Sequence, residues 1–277
     1  MIKLGEKQTL TVIKNVDFGV YLAEEGAKDE KVLLPAKQVP AGADIGTRIE
    51  VFIYKDSDDR PIATTNTPKI MLGEVRMLKV KDTSKIGAFM DWGLEKDLLL
   101  PFKQQTRKVS AGEEVLCALY IDKSDRLCVT MNVYPYLRND SPYVKDSKVI
   151  GTVYELSDNF GAFVAVDDIY SGLIPKKELF GNIRIGDSVN ARVTSVKPDG
   201  KLNLSLREKA YLQMDTDAQM LMDMIDQNGG KLPFTDKASP ELIREKTDMS
   251  KNEFKRAVGR LLKEGRIEIG KDSILKK

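Results

Sequence analysis

Histidine is absent from the 277-residue chain, and cysteine occurs only twice, at Cys117 and Cys128. The first absence removes the commonest metal ligand and the commonest general base near neutral pH, and with it most nucleophile-plus-base catalysis. The second excludes a disulfide framework. Both cysteines fall at apolar positions of adjacent β-rich segments, where a thiol acts as a small hydrophobe. No apolar run is long enough to cross a bilayer, so a membrane span is excluded. The segment Met1 to Leu10 lacks the basic stretch, apolar core and small-residue cleavage site of a secretory signal, which reads as a cytoplasmic location. Nor is there a strong excess of either charge. The formal net charge is +2, and a local surplus appears only from Ser250 to Lys277, with nine basic against four acidic residues. That is where contact with a polyanion is first sought, the plainer reading being a solvated helix face.

What is present is globular in composition, with 42% apolar and 31% charged residues, and long enough for several modules that each bury a core. Three internal copies of one pattern occupy most of it. The third has Gly151-Thr152-Val153, Phe160-Gly161-Ala162-Phe163-Val164, Gly172-Leu173-Ile174-Pro175, Gly186-Asp187-Ser188-Val189 and Leu202-Asn203-Leu204-Ser205-Leu206. The second has Ile86-Gly87-Ala88-Phe89-Met90, Leu99-Leu100-Pro101, Gly112 and Asp125-Arg126-Leu127-Cys128-Val129-Thr130, and the divergent first has Phe18-Gly19-Val20-Tyr21, Leu33-Leu34-Pro35, Gly46 and Asp59-Arg60. The interval from proline to the following glycine is 11 in every copy, whereas the interval from the earlier glycine to the proline is 16, 14 and 14, so a surface-loop insertion falls in the first copy. Each copy holds about five short segments rich in β-branched residues and separated by Gly, Asp and Ser turns, which predicts a closed all-β module. The acidic runs Asp56-Ser57-Asp58-Asp59 and Asp122-Lys123-Ser124-Asp125 align as hairpin turns, so no metal is assigned.

The pattern resembles the S1 RNA-binding family of OB barrels over roughly residues 4 to 207. In that family single-stranded RNA lies across strands two and three, stacked on an aromatic before the glycine and another after it, beside a basic residue of the last hairpin. The resemblance implies Phe160, Phe163 and Lys201 in the third copy, Phe18, Tyr21 and Arg60 in the first, and Phe89 with Arg126 in the second, where Ile86 replaces an aromatic. The physics agrees, since rings stack bases and cations neutralise phosphate. In a regular strand Phe160 and Phe163 would point to opposite faces; either Gly161 kinks the chain or one ring plugs the barrel. The family pattern turns Phe163 outward more firmly than Phe160. Where many S1 domains carry histidine this chain has Pro35, Pro101 and Pro175, so binding rests on several modules acting together. Trp92 either stacks a base or packs beside a hairpin.

The tail follows another pattern. Apolar residues at helical spacing run from Ala218 to Asp226 and stop at Asn228-Gly229-Gly230; Ser239-Pro240-Glu241 opens a second helix, and the capping box Ser250 to Glu253 opens a third that Gly265 closes. A hairpin over Arg266 to Leu275 completes a winged helix, with Phe254, Val258 and Leu261 buried and Lys251, Lys255, Arg256 and Lys263 outward for phosphate.

The expected fold is multidomain: three five-stranded S1/OB barrels at 1–68, 69–140 and 141–211, then an α+β winged helix at 212–277, joined by a short segment, Glu208 to Asp215, that holds the last two close. This architecture is similar to the conserved virulence factor B family of bacterial regulators. The resemblance implies a non-catalytic RNA-binding protein without cofactor or small-molecule substrate, controlling gene expression after transcription, virulence functions included. The alternatives are a DNA-binding transcription regulator using the winged helix and a protein-docking accessory of the ribosome or RNA polymerase.

Overall fold

A computed structural model of the chain describes residues 2–27, 30–179, 182–206 and 210–277, the stretch 210–216 by its backbone alone. The first copy folds as β1 (Lys7–Val16), β2 (Gly19–Ala23), β3 (Lys31–Pro35), β4 (Arg48–Lys55) and β5 (Pro61–Thr64). These close into a barrel in the order β1-β2-β3-β5-β4, with only the β3–β5 pair parallel. The second barrel comprises β6 (Val75–Thr83), β7 (Gly87–Asp91), β8 (Leu98–Pro101), β9 (Glu114–Ile121) and β10 (Leu127–Thr130), and the third β11 (Lys148–Ser157), β12 (Gly161–Val166), β13 (Tyr170–Pro175), β14 (Ser188–Val196) and β15 (Leu202–Ser205), both with the same strand order. The long first strand of each barrel carries a register shift at the same place, after Val12, Val80 and Val153. Such a bulge bends the strand so that it pairs with both neighbours and closes the sheet.

The repeated glycine and proline face each other. Gly19 pairs with Pro35, Gly87 with Pro101 and Gly161 with Pro175. Proline has no N–H, and the ladder continues one residue on: Ala36, Phe102 and Lys176 donate to the carbonyls of Phe18, Ile86 and Phe160. A turn of 3₁₀ helix follows each proline, and its third residue accepts a hydrogen bond from the hydroxyl ending the last strand: Thr64 to Gln38 at 2.6 Å, Thr130 to Gln104 at 2.7 Å and Ser205 to Glu178 at 2.8 Å. These hydroxyls are buried, so each needs that partner.

The barrels share cores rather than standing apart. Phe52 and Tyr54 of β4 pack on Trp92 with ring centroids 5.7 and 6.1 Å away, and the Trp92 indole donates to the Lys96 carbonyl. Of the two fates open to Trp92, the structure shows packing: the ring is buried between two barrels. Tyr154 and Ala165 of the third barrel likewise join Val75, Leu116 and Val133.

Residues 207–277 form a second compact unit. It holds α1 (Ala210–Gln227), β16 (Lys231–Leu232), α2 (Pro240–Thr247), α3 (Lys251–Lys263), β17 (Ile267–Ile269) and β18 (Ile274–Lys276), the strands ordered β16-β18-β17. Ser239 caps α2 by accepting from Leu242, and Ser250 and Glu253 form the expected capping box of α3. Ile225, Ile243, Phe254, Val258 and Leu261 fill the core. Two expectations are corrected. The first helix begins at Ala210, so Ala210 to Asp215 are helix rather than joining segment, in keeping with their lack of Gly and Pro; Glu208 and Lys209 lie outside the described residues. And β16, two residues long and too short to show a period, adds a third strand. Among the described residues no helix is long and apolar enough to cross a membrane.

Candidate nucleic-acid interface

The third barrel concentrates the predicted contacts. Phe160 ends the turn before β12 and is 62% exposed, and Gly161 follows at φ +122°. The kink brings both rings to one face, their centroids 6.3 Å apart. The ranking of the two is reversed: Phe160 is the open ring, whereas Phe163 is half-buried and lies 6.2 Å from Tyr154, because the outer face of β12 is partly covered where the second and third barrels meet. Phe18 (58% exposed) and half-buried Tyr21 repeat the pair edge-on at 6.5 Å in the first barrel, with the Lys31 ammonium 5.1 Å above the Tyr21 ring. In the second barrel Phe89 is half-buried and Ile86, 61% exposed, stands where the others have an open ring.

The last hairpins differ in charge. Asp56 accepts from the Asp58 and Arg60 amides and from the Arg60 guanidinium, and Asp122 does the same for Ser124 and Arg126. Burial pulls the Asp122 carboxyl up, but these donors outweigh it and hold it below the ordinary carboxylate range. Arg60 and Arg126 are therefore already neutralised inside their own loops. In the third barrel the position of those aspartates is Lys197, which closes the hairpin by donating to Lys201. Two lysines there face one aspartate, Asp199, against three aspartates and one arginine in the first hairpin. Lys201 bonds Asp199 at 2.8 Å, its ammonium lies 5.7 Å from the Tyr134 ring, and the two partners raise its pKa.

Tyr134 is a candidate that sequence reasoning missed. It opens a 3₁₀ turn between the second and third barrels, is 45% exposed, and carries Lys201 beside its ring. Its signal, Tyr134-Pro135-Tyr136, lies outside the repeat, where alignment of the copies gives no position to compare.

In the second unit α3 presents Lys255, Arg256 and Lys263 to solvent, and Lys251 is half-buried at its first turn. None of the four forms an ion pair among the described residues, whereas Arg260 is held by Glu264 at 2.5 Å.

These features define a tandem S1-domain protein with a C-terminal winged helix. The S1 domain family model matches residues 4–66 and 72–132; the models described as virulence regulatory factor CvfB, second domain, and CvfB-like winged helix domain match 135–208 and 219–275. The chain is 31% identical over 274 residues to the uncharacterized protein YitL of Bacillus subtilis, covering 95% of this chain and 90% of that one. It is 31% identical over 244 residues to conserved virulence factor B of Staphylococcus aureus, covering 84% and 81%. The chain belongs to the conserved virulence factor B family. Its fold is similar to that of a Streptococcus pneumoniae multidomain protein with nucleic acid binding domains, solved as a crystal structure, with a TM-score of 0.50 at 24% identity over 99% of this chain and 98% of that one.

Proposed function

We propose that the protein is a non-catalytic RNA-binding regulator acting after transcription, with functional modules at residues 1–68, 69–140, 141–211 and 212–277. Single-stranded RNA lies on the third barrel, and the cations of α3 give the second unit phosphate contacts of its own. The observation that carries this reading is the exposed Phe160 beside Phe163 on a barrel whose last hairpin is cationic. Bases present π-faces to the rings, and Lys197, Lys201 and the α3 side chains neutralise phosphate. The absence of histidine supports binding rather than catalysis. The name of the Staphylococcus aureus relatives supports virulence genes among the targets.

The test is titration of the full chain with labelled single-stranded RNA and with duplex DNA across a salt series. RNA is expected to bind more tightly. Replacing Phe160 and Phe163 by Ala should weaken binding with little change in salt slope, whereas replacing Lys255, Arg256 and Lys263 by Ala should flatten the slope by roughly 0.7 per lost contact. A preference for duplex DNA would favour the transcription-regulator reading. A cellular complex that survives nuclease treatment would favour protein docking.

A further inference from the structure

A cavity of about 270 Å³ opens at the end of the first barrel, where the second barrel meets it. Three stretches distant in sequence wall it: the segment before β1, the strands β3 to β5, and the last hairpin of the second barrel. Ile2, Leu4, Val32, Ile53 and Ile121 give it an apolar lining, and Ile121 is 38% exposed there. The lining is held in place. The Gly5 amide donates to the Ile53 carbonyl at 2.8 Å and the Leu72 amide to the Gly5 carbonyl at 2.9 Å, so the leading segment is pinned between the first two modules. The Ile2 amide donates to the Glu30 carboxylate at 3.1 Å.

Size and charge together select the occupant. The volume is below the roughly 300–1,000 Å³ of sites for drug-sized ligands, and suits a molecule no larger than a single amino acid. Glu30, Lys31, Lys55 and Asp125 are the charged groups that line it. Two of them are already engaged, Glu30 by the Ile2 amide and Lys31 over the Tyr21 ring. The side chains of Lys55, which ends β4, and Asp125, in the β9–β10 hairpin, form no hydrogen bond or ion pair among the described residues, although both face the one cavity. Asp59, which feels the charge of Lys55, is bound by Lys96 at 2.9 Å. An occupant with one charge would answer Lys55 or Asp125 and oppose the other, and a neutral apolar one would take water from both without replacing it. A small zwitterion with an apolar body answers all three features.

We propose that this cavity binds a free apolar α-amino acid, its ammonium on Asp125, its carboxylate on Lys55 and its side chain against Ile53 and Ile121. Because Lys55 and Asp125 belong to different barrels, the bound molecule ties the first barrel to the second, and neither barrel alone builds the site. The proposal is independent of the nucleic-acid reading above, and its test uses no nucleic acid. Isothermal titration of the full chain with L-leucine, L-isoleucine, L-valine and L-methionine should show saturable binding of at least one. Glycine, isocaproate and isoamylamine, which lack in turn the side chain, the ammonium and the carboxylate, should bind about tenfold more weakly or not at all. Asp125→Asn, which suits the φ of +54° at that position, and Lys55→Met should each weaken the binding about fivefold or more, the loss of one hydrogen bond to a charged group. No binding by any of the four amino acids would overturn the proposal. So would isocaproate or isoamylamine binding as tightly as the amino acids, or an unchanged affinity in both folded variants. Should a variant not fold, the ligand series on the unaltered chain decides alone.

Discussion

Gly161 sits opposite Pro175 in the β12–β13 pair, and a Cβ built on it would fall 2.1 Å from the Ile174 carbonyl oxygen. Gly19 and Gly87 stand at the same distance to within 0.1 Å, 2.1 and 2.2 Å from the Leu34 and Leu100 oxygens. The glycine is thus required twice over, by its positive φ and by the approach of the facing strand. Gly161→Ala should cost about 2–4 kcal/mol, because neither backbone can yield cheaply. Urea unfolding of the variant measures it; a loss below 1 kcal/mol would mean that the strand pair relaxes.

Phe160 and Phe163 should respond differently to truncation. Phe160→Ala removes an open ring and should weaken single-stranded RNA binding by about 1–3 kcal/mol without lowering Tm. Phe163→Ala should weaken binding and also cost about 1–2 kcal/mol of stability, since its ring packs on Tyr154. Calorimetry beside the titration separates the two effects.

Asp122 restrains Arg126. Asp122→Ala should free the guanidinium for phosphate and steepen the salt dependence of RNA binding by roughly 0.7 for the added contact on a single strand. The carboxyl's folded pKa is depressed, so the stability it gives is present above the ordinary carboxylate pKa of about 3.9 and is lost as pH falls through that range. An unchanged salt slope in the variant would show that Arg126 does not reach the strand.

Tyr134 should serve as a further stacking platform. Tyr134→Ala is expected to lower RNA affinity about fivefold or more, and Tyr134→Phe to keep most of it, because the ring face rather than the hydroxyl meets the base. Equal losses in both variants would shift the role to the hydroxyl and its contact with Lys201.

Both thiols should be inert in the native chain. Burial pushes Cys117 to about 12 and Cys128 to about 11. An aromatic disulfide reagent at pH 8 should modify neither until the chain is unfolded, then both. Since the folded values are raised, the contribution of the thiols to stability is full below the unfolded value of about 8.5 and is lost as pH rises through the folded ones. Replacing both cysteines by Ala should therefore flatten the fall of stability between roughly pH 9 and 11.

Much of this was legible in the residues themselves. The constant 11-residue step from proline to glycine, the period-two alternation and the two helix caps specify three barrels and a winged helix, because local hydrogen bonding and side-chain alternation are properties of short stretches of chain. What the tertiary structure alone decided lies where distant segments meet. The shared core around Trp92, the cavity lined by both Lys55 and Asp125, and the placing of Tyr134 beside Lys201 join residues that no repeat aligns. The fates of Arg60 and Arg126 were hidden for a different reason: a basic residue at a matching position states the charge, and only the folded hairpin shows that an aspartate four residues earlier has already bound it.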